Sequence, residues 1–257
     1  MDLGIRDRVA LVAASTGGLG LAVAEALAKE GARVIVTGRD EARCRAVAER
    51  LPGAVARKID LSRTDDLAAS VNTIASTDGP IDILVTNGPG PRPALAAELS
   101  TEAVREAVDG LLSAPQQMIS AALPGMLDRG WGRILAIGSS GVVAPIAGLA
   151  ASNTARAALA AYLKTLAAEV ADRGVTANLL LPGRIATDRV ASLDEIAAER
   201  RGIAVEAVQA ESRAAIPLGR YGRPAEFAAA AAFLCSEPAS YITGVALRCD
   251  GGLVRSL

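Results

Sequence analysis

Between Arg8 and Gly31 the chain reads RVALVAASTGGLGLAVAEALAKEG, an order of residues that suits a strand, a tight turn and a helix. Val9, Leu11 and Val12 make a short apolar run, Gly17, Gly18 and Gly20 punctuate a small-residue turn, and Leu21, Ala24, Leu27 and Ala28 then recur at helical spacing. Glycines let a backbone come close to a ligand. The helix N-terminus beyond them offers unpaired N–H groups and a partial positive charge, which suits a pyrophosphate. A small-residue turn with no ligand satisfies the same pattern, so the remainder of the chain has to decide.

The same alternation continues downstream. Arg33–Thr37 is a β-branched run of the kind that forms a buried parallel strand, and it ends at Gly38-Arg39-Asp40. The pattern predicts a helix over Glu41–Leu51, a strand over Ala54–Ile59 ending at Asp60, a helix over Arg63–Ala75 and a strand over Ile81–Thr86. One long helix is expected from Ser100 to Arg129, then a strand over Arg133–Ile137, a second long helix over about Leu149–Arg173 and a strand over Val175–Leu181. A polar helical segment from about Leu193 to Ala214, a stretch from Pro224 to Leu234 and a last strand over Val245–Arg248 complete the chain. Strands alternating with helices, with no linker and no repeat, argue for one α/β domain spanning 1–257, a doubly wound parallel sheet of about seven strands. Hydrophobic residues are 51 % of the chain and aromatics only 2 %, so Ala, Val, Leu and Ile must fill the core.

Charge and composition exclude several functions. The net charge is −1, and no basic stripe or aromatic platform is present for nucleic acid. Cys44, Cys235 and Cys249 are odd in number and lack CxxC spacing, so neither a disulfide framework nor a zinc site is expected. Histidine is absent, which removes the usual imidazole base and the commonest metal ligand. No metal is expected. The N-terminal MDLGIRDR is too polar for a signal peptide, no apolar run reaches membrane-spanning length, and a cytoplasmic setting is expected.

Four segments in this order resemble the short-chain dehydrogenase/reductase family over nearly the whole length: RVALVAASTGGLG, IDILVTNGPG, GVTANLLLPGRIATDRV and IPLGRYGRPAEFAAAAAFLCSEPASYITGVALRCDGG. The similarity is to the 3-oxoacyl carrier-protein reductase-like branch. The resemblance implies a Rossmann-type fold and a nicotinamide dinucleotide, whose phosphates it assigns to Ser15, Thr16, Gly18, Leu19 and Gly20. Ala13 and Ala14 stand in the first two places of the family's Thr-Gly-x-x-x-Gly-x-Gly, and Ala14 is expected to make the turn with negative φ. NAD-preferring members carry an acidic residue after the second strand. This chain has Gly38-Arg39, and a guanidinium there matches a 2'-phosphate, so NADP(H) is expected over NAD(H). The resemblance places Asp60 and Leu61 at the adenine, Asn87 and Gly88 along the adenosine, and Pro182, Gly183, Ile185 and Thr187 at the nicotinamide carboxamide. A plain turn role for Asp60, before Ser62, is the alternative.

Members of the family donate a proton from a tyrosine and hold the ribose with a lysine four residues later. The corresponding segment here is Leu149-Ala150-Ala151-Ser152-Asn153, which carries neither, and none of Tyr162, Tyr221 or Tyr241 has a lysine at that spacing. The family's helical asparagine falls at Gly110, and a serine is kept after the fifth strand as Ser139 or Ser140. Positions 149, 153 and 156 share a helix face, so Asn153 is expected on ribose hydroxyls and Arg156 as the replacement cation. An arginine does not donate protons near neutral pH. The expected activity is therefore hydride transfer to an already activated carbonyl, quinone or imine-type acceptor. A cofactor-binding scaffold without catalysis, or a non-redox cyclase or dehydratase in the same cleft, are the alternatives. Residues 188–216 fall where the family places its substrate lid, with Asp194 on a solvated face and Ile196, Ile203 and Val208 turned inward. A small-molecule substrate and a homodimer or homotetramer complete the expectation.

Overall fold

The computed structural model describes residues 1–256; Leu257, the last residue of the expected domain, lies outside them. Seven strands form one parallel sheet: β1 (Val9–Val12), β2 (Arg33–Gly38), β3 (Val55–Lys58), β4 (Ile83–Thr86), β5 (Gly132–Ile137), β6 (Val175–Pro182) and β7 (Ala246–Cys249), in the order β3-β2-β1-β4-β5-β6-β7. The chain winds one way from β1 to β3 and the other way from β4 on. A crevice therefore opens at the carboxyl ends of β1 and β4, where ligands of such sheets bind.

The described residues form nine α-helices: α1 (Gly18–Lys29), α2 (Glu41–Ala48), α3 (Thr64–Thr77), α4 (Thr101–Val108), α5 (Ala114–Arg129), α6 (Ala150–Val170), α7 (Asp188–Arg201), α8 (Val205–Ala215) and α9 (Pro224–Leu234). The period of two along β1 decides which layer each residue joins: Val9 and Leu11 pack toward α3, α5 and α6, whereas Ala10 and Val12 pack toward α1, α2 and α9. Both layers are aliphatic, with Phe227 the one aromatic ring fully buried among the described residues.

The expected alternation is present throughout, with local differences. The long helix over 100–129 is two helices, α4 and α5, joined by a π-helical turn, Asp109–Ser113, a feature that i to i+4 spacing does not reveal. The polar segment is likewise two helices, α7 and α8, because Gly202 takes φ +62 and ends the first.

Candidate active site

The first end of the crevice is the turn between β1 and α1. Ser15 is fully buried; its hydroxyl donates to the Val12 carbonyl (2.8 Å) and accepts from the Thr37 N–H (2.9 Å), which ties β1 to β2. Its side chain is thus occupied within the chain and fixes the turn. Thr16 packs on the end of β2 so closely that a Cβ at Gly38 would lie 2.9 Å from its Cγ2. Gly17 caps α1 with no side-chain bond, and no acid sits in the first turn, so the amide end of the helix is left for an anion. At Gly18 φ is +56 and a Cβ would meet nothing within 4 Å, while a Cβ at Gly20 would meet the Ala14 carbonyl oxygen at 2.4 Å. Ala14 itself has φ +48, not the negative value expected. The turn needs a left-handed residue where it leaves β1, and the alanine bears that strain, about 1–2 kcal/mol.

Arg39 is exposed at the end of β2. A second guanidinium, that of Arg43 on α2, lies beside Gly17, 3.4 Å from where its Cβ would be. Sequence reading missed Arg43; its position i+4 from Arg39, at the start of the helix after β2, is the signal that points to it. Asp60 follows β3, and its Oδ1 accepts from both the N–H (3.0 Å) and the hydroxyl (2.7 Å) of Ser62. Those bonds, then the charges of Arg39 and Arg63, hold its carboxyl below the usual range. The carboxylate is thus committed to a local turn, while Leu61 beside it is buried. Asn87 and Gly88 continue from β4; Asn87 Nδ2 would lie 3.1 Å from a Cβ at Gly20, and a Cβ at Gly88 would lie 2.9 Å from the Gly110 carbonyl oxygen.

From this turn a cavity of about 680 Å³ runs to the far side of the crevice, joining Gly17, Gly18 and Leu19 to Asn87, Gly88, Pro182, Gly183, Ile185 and Thr187. Gly183 is pressed against Asp250, whose Cα would be 2.7 Å from a Cβ. Ile185 is buried, and Thr187 caps α7 by accepting from the Val190 N–H. The α7 helix then crosses the opening. Arg189 donates to the Pro91 carbonyl (2.8 Å) and Arg200 to that of Pro93 (3.2 Å), holding α7 onto the loop after β4. Asp194 is not on a solvated face: it is 0 % exposed, bonded to Arg184 at 2.7 Å and to the Tyr221 hydroxyl at 2.8 Å. Charge density along the segment suggested an exposed face, but a buried carboxylate with two strong partners is tolerated inside.

The opposite wall is β5 and α6. Ser139 and Ser140 both line the cavity; Ser139 Oγ accepts from the Gly141 N–H (3.1 Å), which leaves its own proton free, and Ser140 is buried. Arg156 reaches in from α6. Its Nη1 donates to the carbonyls of Ile137 (2.7 Å) and Gly138 (2.9 Å) at the end of β5, and its Nε to the Ser152 hydroxyl (3.3 Å). Burial, with the Arg189 charge adding in the same direction, pulls its guanidinium down to about 10. Asn153 turns away: its amide pairs with the backbone of Ile146, donating at 2.9 Å and accepting at 3.3 Å. The reason is helical phase. Leu149 caps the helix and is not part of it, and Ser152 and Arg156, spaced i and i+4, centre the face that meets the crevice, which puts Asn153 about 100° around from Ser152.

The residues fit an extended dinucleotide on structural grounds. The α1 amide end is free, Gly20 and Gly38 sit where any Cβ would collide, and one continuous cavity links that end to Thr187. Comparisons agree with that geometry. Residues 13–254 match a family model described as enoyl-(acyl carrier protein) reductase. The 3-oxoacyl-[acyl-carrier-protein] reductase FabG of Escherichia coli (strain K12) is 34 % identical over 253 residues, 98 % of this chain and 99 % of the relative. Among solved structures, L-sorbose reductase from Gluconobacter frateurii complexed with NADPH and L-sorbose superimposes with TM-score 0.93 at 30 % identity over 100 % of both chains. YwfH, an NADPH-dependent reductase involved in bacilysin biosynthesis, gives TM-score 0.93 at 29 % identity over 98 % of this chain and 100 % of its own. The chain belongs to the short-chain dehydrogenase/reductase family, in the branch of the 3-oxoacyl carrier-protein reductases.

Proposed function

We propose that this protein is an NADP(H)-dependent oxidoreductase that reduces an activated carbonyl, quinone or imine-type acceptor without a tyrosine acid, with Ser152 and Arg156 in the places of the family's tyrosine and lysine. The observation that carries the reading is the Ser152–Arg156 pair itself: i and i+4 on α6, hydrogen-bonded at 3.3 Å, both lining the cavity. No tyrosine lines that cavity among the described residues; Tyr221 is held by Asp194 behind the lid, and Tyr241 is wholly exposed. Arg39 and Arg43 beside the glycine turn support the phosphorylated coenzyme, as do the NADPH complexes of the related structures.

NADPH, when bound, supplies the hydride. The chain's own residues deal with the charge that hydride addition leaves on the acceptor. The Ser139 and Ser152 hydroxyls donate hydrogen bonds to the acceptor oxygen or nitrogen, and the Arg156 guanidinium opposes the growing negative charge. Neither group surrenders a proton at neutral pH, so an acceptor that delocalises the charge, or an iminium that needs no proton, suits the site. The exposed residues Val245, Ala246 and Leu247 at the β7 edge support self-association, a homodimer or homotetramer.

Titration with NADPH and NADH, followed by turnover on quinones, imines, conjugated ketones and plain ketones, tests the reading. NADPH is expected to bind at least about tenfold tighter than NADH, with the fastest turnover on activated acceptors. The double variant Ser152→Tyr with Arg156→Lys is expected to gain plain-ketone reduction by roughly 10²- to 10⁴-fold, the worth of a positioned acid. Fastest wild-type turnover on a simple aliphatic ketone would sink the proposal. Tight NADPH binding without consumption would favour a scaffold, and product formation with no change at the nicotinamide would favour a cyclase or dehydratase.

A further inference from the structure

Resting on the hydride-transfer reading, we infer that the substrate is a free carboxylate with an apolar body, its carboxyl group received between Arg156 and Arg189, and is not a carrier-bound thioester. The argument begins with the charges around the cavity. Five arginines line it, Arg156, Arg184, Arg189, Arg200 and Arg201, against one acid, Asp188. Two of the five are neutralised: Arg184 by Asp194 and Arg201 by Glu211, each at 2.7 Å. Asp188 sits in the first turn of α7, where the amide end of its own helix favours a carboxylate.

Arg156, Arg189 and Arg200 have no carboxylate partner among the described residues; they reach only the carbonyls of Ile137, Gly138, Pro91 and Pro93 and the Ser152 hydroxyl. Carbonyls fix the direction of a guanidinium without cancelling its charge. Arg156 is the most exacting case, 9 % exposed, with Nη2 free of any hydrogen bond among the described residues and Arg189 as its charged neighbour. A buried cation beside a like charge is costly unless an anion completes it. Both arginines face one cavity from opposite walls, α6 and the lid, so an anion between them would meet donors from both sides.

Depth then sets the class. Arg156 lies at the carboxyl end of β5, beside Ser152 and Ser139, on the floor where the reduction takes place. An acyl thioester is neutral along its acyl part and carries its charges at the carrier end, outside the mouth. It would leave the floor cation unpaired. A carboxylate adjacent to the reducible group, as in a 2-oxo acid or its conjugated unsaturated analogue, pairs it. The remaining wall, Ile146, Leu149, Val190, Leu193 and Ile196, is apolar and takes the body of the molecule.

Calorimetry with hydrocinnamate and hydrocinnamyl alcohol, an anion and its neutral counterpart, tests the pairing on the intact protein with and without NADPH. Kinetics with benzylidenepyruvate and its methyl ester test it during turnover. Hydrocinnamate is expected to bind at least about tenfold tighter than the alcohol, the worth of a charge-assisted hydrogen bond. The acid is expected to exceed its ester similarly in kcat/KM. Arg189→Met is expected to bring both ratios to within about twofold, chiefly through KM, and Arg189→Lys to restore part of the preference. Equal binding of anion and alcohol by the wild type would overturn the inference. So would an Arg189→Met variant that keeps the preference but binds NADPH tenfold more weakly, since the arginine would then serve the coenzyme. A protein that selects hydrocinnamate yet binds no NADPH would instead overturn the hydride-transfer reading, so the two failures are distinct.

Discussion

The glycine turn between β1 and α1 and the floor between β5 and α6 are two ends of one cavity, built on different physics. At the turn Ser15 stitches β1 to β2 and Asp60 closes on Ser62, and what α1 turns outward is backbone N–H. Its specificity is steric, set at Gly20 and Gly38 by what a Cβ would strike. At the floor the side chains are left incomplete, with Arg156 buried and unpaired beside two serines. The first end is therefore intolerant of shape, with its charge supplied at the margin by Arg39 and Arg43. At the second end charge, more than contact, sets what fits.

The largest expected effect breaks the steric end. In Gly20→Ala the new Cβ meets a backbone oxygen at 2.4 Å, which no rotamer can relieve, so β1 and α1 must separate. A loss of about 1–3 kcal/mol in stability and at least about tenfold in NADPH affinity is expected. Gly18→Ala is the matched control: nothing lies within 4 Å, and only the strain of φ +56 remains, about 1 kcal/mol. Melting curves and coenzyme titration of both variants check the difference. Equal damage from the two would mean that the turn is limited by conformation and not by contact.

A smaller effect sharpens the electrostatic end. Burial lowers the Arg156 guanidinium to about 10, and the protonated form is the one that opposes negative charge on the acceptor. Turnover is therefore expected to be level at lower pH and to fall as pH rises through about 10. In Arg156→Lys the group starts from a lower intrinsic value and is lowered again by the same burial, so the alkaline limb should move to lower pH. NADPH affinity at the glycine turn should not follow that limb. A pH–rate profile of kcat/KM for both proteins is the measurement, and an unmoved limb in the lysine variant would remove Arg156 from the chemistry.

The same contrast explains what could be read from the sequence. Strand and helix order were legible because period two and period 3.6 are properties of local sequence. The strand–turn–helix shape of the glycine segment was legible for a similar reason, since it depends on residues adjacent in the chain. The floor depends on helical phase. Asn153 was expected on the cleft face, yet it lies about 100° around from Ser152 and pairs with Ile146, because the sequence does not mark where α6 begins. Arg156 does line the cavity, and Ser152, its hydrogen-bond partner there, was not singled out. Asp194 escaped for another reason. Its burial depends on Arg184 and Tyr221, ten and twenty-seven positions away, whose meeting only the fold decides.

The smallest effect lies at Ala14, where the two views disagreed on a single angle. Its φ of +48 costs an alanine about 1–2 kcal/mol that glycine does not incur. Against that gain, Ala14→Gly gives up a methyl group partly packed on the α3–α5–α6 core, and it adds freedom to the unfolded chain, about 0.4–1 kcal/mol. The balance is a net stabilisation of about 0.5 kcal/mol, a rise of roughly 1–2 °C in Tm for a chain of this size. NADPH affinity should stay within about twofold, since the α1 amides are unmoved. Calorimetric melting separates the outcomes. A fall in Tm would mean that the methyl contact outweighs the strain, and that the alanine is held by packing at a position where the turn itself asks for glycine.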